Sequence, residues 1–201
     1  MKKILVNFAH PLKSKSKINM ALRDAISDLE NVTINDLYDN YPDFAINIRR
    51  EQKLCLDNDI IIFQHPFYWF QAPAIIKEWL DLVLEYGWAY GKGGKALEDK
   101  LLLQVITAGG SHESYCDEGD NRFTISELTT PFRAIANHCS MDWISPFTVL
   151  GIHKGLSEEE ISKHSENYRK FLEALRDNKI DMYTAKTVQY CSCNLDIIKK
   201  V

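Results

Sequence analysis

The chain has 201 residues, 45% hydrophobic and 26% charged, the proportions of one soluble globular domain with a sizeable core. A net charge of −4 and a pI near 5.9 leave no basic excess to neutralise phosphates, which argues against nucleic acid as the main partner. No apolar run is long enough to span a membrane, and five cysteines, an odd number at no framework spacing, indicate a reduced, cytosolic chain with no metal centre.

Met1-Lys2-Lys3 followed by Ile4-Leu5-Val6 is too short and too soon interrupted for a signal peptide, so residues 3–9 read as a first strand. A polar loop, residues 10–16, precedes a helix with Ile18, Leu22, Ala25, Ile26 and Leu29 on its inner face. Residues 32–37 alternate as a second strand, a long connection follows, and residues 48–56 form a short helix. Ile60 to Phe63 is an uninterrupted apolar run, the pattern of a strand buried on both faces, and Pro66 ends it. Pro73 suits the first turn of a helix whose Ile75, Ile76, Trp79, Leu80, Val83 and Leu84 share one side. After a glycine-rich loop at residues 87–94, residues 101–107 are a fourth apolar strand. A long loop spans residues 108–122, and Thr130-Pro131 marks the next helix start. Residues 143–150 are a fifth strand, demoted to an edge by Pro146. Ser157 to Glu160 is a capping box opening a helix with Ile161, His164, Tyr168, Phe171 and Leu175 inward. Residues 178–201 read as a polar tail with weak strand character; Cys191-Ser-Cys193 within it lacks the second pair that a metal site needs.

Strands alternating with helices indicate an α/β fold, a doubly wound five-stranded parallel sheet with helices on both faces. Order 2-1-3-4-5 puts the Pro146 strand at an edge and opens a ligand crevice beyond the carboxyl ends of strands one and three. The three loops there have unusual chemistry. Residues 10–16 offer a helix N-terminus with Ser14, Ser16 and Lys13, Lys15, Lys17 nearby. They read equally as an anion site or as Ser16 capping the helix. Phe67-Tyr68-Trp69-Phe70 places four aromatics on a loop. Any one ring can pack under a neighbouring loop, whereas the four together favour a flat aromatic ligand. Gly109 and Gly110 permit close backbone approach or form a plain turn. A phosphate end, an aromatic wall and a backbone-rich edge together describe a flavin mononucleotide site.

On these residues the sequence resembles the NAD(P)H:quinone oxidoreductases of flavodoxin-like fold, and within them the ancillary flavoproteins of glutathione-regulated potassium-efflux systems. The resemblance covers residues 2–175. It rests on AHP at 9–11 with Ser16 and Asn19, YPDF at 41–44, QHP at 64–66 with Trp69, GWAYGKGGKAL at 87–97 and GG at 109–110. It implies a flavin-binding domain over residues 1–177 holding FMN, with FAD the alternative, and NAD(P)H as co-substrate. The implied flavin contacts are His10, Ser16, Lys17, Ile18 and Asn19; Phe67, Tyr68, Trp69 and Phe70; and Thr107, Ala108, Gly109 and Gly110. Tyr115 matches a tyrosine placed near the flavin for hydride transfer. Tyr90 matches one that crosses a homodimer interface and, with Trp69, lines the substrate pocket. The implied activity is two-electron, ping-pong reduction of a quinone or other small acceptor in the cytoplasm. The alternatives are a regulatory ancillary subunit, held at the inner face of the membrane by a potassium-efflux partner, and a one-electron carrier. The extended loops at residues 86–100 and 108–122 favour a roofed pocket over a bare carrier. Two departures stand out: Asn121 occupies the place of the histidine that partners the tyrosine, and nothing after Arg176 has a counterpart.

Overall fold

The computed structural model of the chain describes residues 1–193 and 197–199. Three strands, β1 (Ile4–Phe8), β3 (Ile60–Pro66) and β4 (Leu101–Thr107), are buried at every position, as continuous apolar runs require when both sheet faces are covered. β2 (Val32–Asp36) is only partly buried and lies at one edge. The parallel order is β2-β1-β3-β4-β5, the flavodoxin-like arrangement expected.

The fifth strand differs in detail from its expectation. It is split into β5 (Asp142–Trp143) and β6 (Phe147–Val149), both paired with β4. Between the pairs Leu102–Trp143 and Val105–Phe147 the edge uses one residue more than β4, a bulge around Ser145-Pro146. Pro146 has no N–H for the ladder, so the interruption falls there.

Successive strand residues point to opposite faces, and two cores result. On one face α1 (Lys17–Asp24) and α7 (Glu158–Arg176) bring Leu22, Tyr168 and Phe171 against Ile4, Val6, Ile62 and Leu103. The Ser157–Glu160 capping box is present at the start of α7. On the other face α3 (Ile48–Asp57), α4 (Ala74–Val83) and α6 (Thr130–His138) bring Cys55, Ile75, Trp79 and Phe132 against Leu5, Ile61 and Phe63. The one-turn helix α2 (Leu37–Asn40) opens the connection containing the YPDF segment. That segment is pinned by the buried carboxylate of Glu51, which accepts from Tyr41 Oη at 2.6 Å, Asn35 Nδ2 at 2.7 Å and Trp79 Nε1 at 2.8 Å. With Arg50 included, four donors satisfy this one buried carboxylate.

A further one-turn helix, α5 (Ile125–Leu128), precedes α6 with its own capping box at Thr124 and Glu127. The tail expected to have weak strand character forms a helix, α8 (Met182–Thr187), a 3-10 turn at Cys191–Cys193 and one isolated antiparallel bridge, Ile180 to Ile198. The remainder of the tail expectation, at residues 194–196, 200 and 201, lies outside the described residues. Among the described residues no helix is long and apolar enough to cross a membrane.

Candidate functional site

The carboxyl ends of β1 and β3 open into a cleft of about 780 Å³, at the switch point where connections leave in opposite directions. The β1–α1 loop supplies His10, Leu12, Lys15 and Ser16, and the first turn of α1 supplies Lys17, Ile18 and Asn19. Ser16 occupies the N-cap of α1, yet its side chain makes no capping hydrogen bond. The capping reading of Ser16 therefore fails, and the first-turn N–H groups of a helix start that lines the cleft have no side-chain acceptor from their own cap. Lys13, grouped by sequence with Lys15 and Lys17, is not part of this charge. Its ammonium is bound to Asp36 at 2.9 Å and to Asp39.

Asn19 ties three elements together. Its carbonyl accepts from Gln64 Nε2 on β3 at 3.0 Å, and Gln64 Oε1 accepts from Tyr168 on α7 at 3.2 Å. Its Nδ2 donates to Thr107 Oγ1 at the end of β4 at 2.6 Å. The residue lines the cleft, and its Oδ1 is buried without a protein partner. An unmatched buried acceptor is unfavourable unless a ligand or water donates to it.

The aromatic loop forms one wall. Phe67, Tyr68 and Trp69 line the cleft, Phe67 being buried with its N–H donating to Thr107 O at 2.8 Å, and Phe70 is not among the lining residues. Trp69 and Phe70 have φ of +49° and +62°, and Gln71 N–H closes the turn onto Tyr68 O at 3.0 Å. Positive φ at both central residues is the pattern of a type I′ turn, normally the place of Asn-Gly. Bulky residues held there carry strain, and Trp69 is 90% exposed at the rim. His10 closes this side, its ring edge-on to Tyr68 and its Nδ1 accepting from Leu12 N–H at 3.1 Å. Burial lowers its pKa, so the ring is held neutral.

The third loop is layered. Thr107 and Gly109 line the cleft, whereas Ala108, Gly110 and Tyr115 lie behind that surface. Tyr115 is 5% exposed and packs on Phe67, with its ring against Gly110; burial pushes its phenol up, keeping it protonated. Asn121 is half-buried and donates its N–H to Ser114 O at 3.1 Å. Tyr90 does not line the cleft of its own chain. It packs beside His138, ring centroids 4.6 Å apart.

A fourth wall was missed by sequence reasoning. Ile152, His153, Gly155 and Leu156, with Ile161 of α7, complete the cleft. This loop docks by backbone on the third: Gly151 N–H donates to Gly110 O at 2.7 Å and Ile152 N–H to Ala108 O at 3.2 Å. Left-handed Gly151 and Gly155 bracket it, and the His153 ring rests where a side chain on Gly109 would begin. The signal available was topological: the connection after strand five leaves from the same sheet end as the other three.

Residues 2–172 match a family described as having a flavodoxin-like fold. The chain belongs to that family. Its homologues include the glutathione-regulated potassium-efflux system ancillary protein KefG of Pectobacterium atrosepticum, 42% identical over 170 residues, 85% of this chain and 92% of the other. Among solved structures of the flavodoxin-like family, general stress protein 14 of Treponema denticola in complex with FMN superposes with a TM-score of 0.81. The two are 34% identical, with 86% of this chain and 99% of that one covered. The NADPH-quinone reductase of P. pentosaceus gives a TM-score of 0.76 at 32% identity, covering 84% of this chain and 96% of that one.

Proposed function

We propose that the cleft binds FMN and that the protein is a flavin-dependent NAD(P)H:quinone oxidoreductase. The observation that carries this reading is the start of α1 in the cleft. The α1 N-terminus has a cap residue whose side chain caps nothing, beside a buried Asn19 Oδ1 without a donor. The residues fit the cofactor. Backbone N–H groups of the first α1 turn, Lys17 included, the Ser16 hydroxyl and the Lys15 ammonium would hold a phosphate, and Asn19 Oδ1 would accept from a hydroxyl of the ribityl chain. Tyr68 and Trp69 on one side and Gly109 on the other would enclose the ring system; FAD is the alternative occupant. The FMN bound by the general stress protein 14 relative supports the same reading. When bound, the flavin supplies a two-electron acceptor and donor. This chain's own residues bind it, exclude water with the aromatic wall, and hold the protonated Tyr115 hydroxyl behind Gly110. With one cleft to share, nicotinamide and quinone take turns, and parallel double-reciprocal plots are the expected signature.

The test is the visible spectrum of the purified protein, followed by NADPH and NADH oxidation with a benzoquinone acceptor. A protein that stays colourless and takes up no FMN or FAD on titration refutes the reading. Tyr115→Phe should slow turnover while retaining flavin. A rate equal to the parent's would make Tyr115 a packing residue only.

The likeness to KefG favours a second role, as ancillary subunit of a potassium-efflux protein, which would bring the chain to a membrane through its partner. Co-purification with such an antiporter is the test, and a chain that leaves the antiporter's efflux unchanged excludes that role. We further infer a homodimer in which Tyr90 and Trp88, half-buried on the 87–94 loop, reach the partner's pocket alongside Trp69. A monomer in sedimentation at micromolar concentration would contradict it.

A further inference from the structure

The family match ends at residue 172 and α7 at Arg176, so the tail is an addition to the shared fold. It is nevertheless built into the body. Ile180, Ala185, Cys191 and Ile197 are buried in the core beneath α7. The tail then runs along the outer edge of the sheet. Ser145 N–H donates to Ala185 O at 2.9 Å, Ser145 Oγ to Val188 O at 2.5 Å, and Cys191 N–H to Pro146 O at 2.8 Å. The Ser192 hydroxyl accepts from Thr148 N–H at 3.2 Å. An edge strand otherwise exposes unpaired backbone groups, and this strap covers the bulged one.

Within the strap stands Tyr190, 5% exposed. It enters a small core of Phe67, Ile106, Ala108, Tyr115 and Ile125, directly behind two walls of the cleft. Its hydroxyl is hydrogen-bonded to Nε2 of His112, and its ring stands edge-on to that imidazole with centroids 5.1 Å apart. His112 opens the 3-10 turn His112–Ser114, whose far end is Tyr115. One tail residue thus touches both the loop carrying Gly109 and Gly110 and the cluster that seats Phe67.

We propose that Tyr190 is a positioning residue of the cleft, through which the tail holds the Phe67 wall and the 109–115 loop at the spacing a planar ligand needs. This rests on the FMN reading above for its ligand, although the restraint on the loop does not. The test uses the full-length chain with Tyr190→Phe, Tyr190→Ala and, as a control, Ile180→Ala, which thins the tail's packing away from the cleft. In the flavin-free protein, Tyr190→Phe should speed amide hydrogen exchange at residues 109–115 by roughly 2- to 10-fold, the range for loss of one hydrogen bond, and leave β1 and β3 unchanged. With FMN as probe, Tyr190→Ala should raise the Kd about tenfold, whereas Tyr190→Phe, which keeps the ring, should stay within about threefold of the parent. Ile180→Ala should lower the melting temperature without moving the Kd. An FMN affinity in Tyr190→Ala equal to the parent's, or an equal loss in Ile180→Ala, overturns the proposal. Should Tyr190→Ala fail to fold, unchanged exchange in Tyr190→Phe overturns it alone. A parent protein that binds no FMN refutes the functional reading instead, and the exchange measurement still decides the role of Tyr190.

Discussion

Replacing Trp69 with Asn separates the stability of the aromatic loop from its use. Trp69 sits at φ +49° in a turn whose next residue is at +62°, both in the left-handed region. An L-residue costs about 1–2 kcal/mol there, and Asn recovers much of that because its short side chain bonds locally. Little is lost in exchange, since Trp69 is 90% exposed and buries almost nothing in the chain alone. The flavin-free Trp69→Asn protein should therefore be more stable by about 1 kcal/mol, a rise of about 2–4 °C in melting temperature at this chain length. Ligand binding should move the other way. An aromatic contact with a planar ring contributes about 1–3 kcal/mol, so the FMN Kd should rise roughly 5- to 150-fold. Urea titration of flavin-free protein and flavin fluorescence titration measure the two quantities. A flavin-free variant less stable than the parent would show that the turn is not strained. An unchanged Kd would show that the wall does not touch the ligand.

Ser16→Ala should leave folding stability unchanged, because the hydroxyl caps nothing, while weakening FMN binding by at least about threefold through loss of a phosphate donor. Ser157→Ala is the matched opposite: its hydroxyl accepts from Glu160 N–H at 3.2 Å, so denaturation should show a loss of about 1 kcal/mol with flavin affinity intact. Equal behaviour of the two variants would refute the distinction. Acid should destabilise the fold through His65, which is fully buried between Pro66 O and Gln104 and driven by that burial down to about 4. The unfolded chain takes up this proton near pH 6.5, the folded one only near pH 4. Stability present above pH 6.5 is thus lost as pH falls, by about 3 kcal/mol across the interval. Urea midpoints at pH 7.5 and 4.5 should converge in His65→Gln. A parent whose midpoint falls no further than the variant's contradicts the assignment.

What could be read from the chain followed from periodicity and what could not followed from side-chain partnership. Ile60 to Phe63 and Leu101 to Thr107 are apolar because both faces of their strands are covered, so their place in the middle of the sheet was readable from composition alone. Pro146 announced an edge, although not the one-residue bulge that its missing N–H imposes. Ser16 is the instructive case for the site. A serine before a helix reads equally as a cap or as an anion ligand, and only the absence of a capping hydrogen bond from its side chain in the folded chain removes the first reading. Asn19 is implied as a flavin contact only by the resemblance, and its environment comes from Gln64 and Thr107, two distant segments that bond it and leave one oxygen over.

The loop at residues 151–156 and the tail share one cause for having been missed: their chemistry is in backbone pairing, which leaves no mark on side-chain pattern. Gly151 and Ile152 bond to carbonyls some forty residues earlier, and Ser145 and Pro146 bond to tail groups at a similar separation. Such contacts are specified by where the sheet delivers the chain ends, and the sheet order was available. Order 2-1-3-4-5 sends the connection after strand five to the cleft, where Gly109 has no side chain and His153 takes the space. The same order leaves strand five as an open edge opposite β2, a place where added chain can bond to the sheet without displacing an existing strand. A tail that follows α7 and must bury Ile180, Ala185 and Cys191 meets that edge first, and from there Tyr190 reaches the back of the cleft. The position of the tail is therefore a consequence of topology, and its influence on the site is a consequence of the edge lying beside the loops that form it.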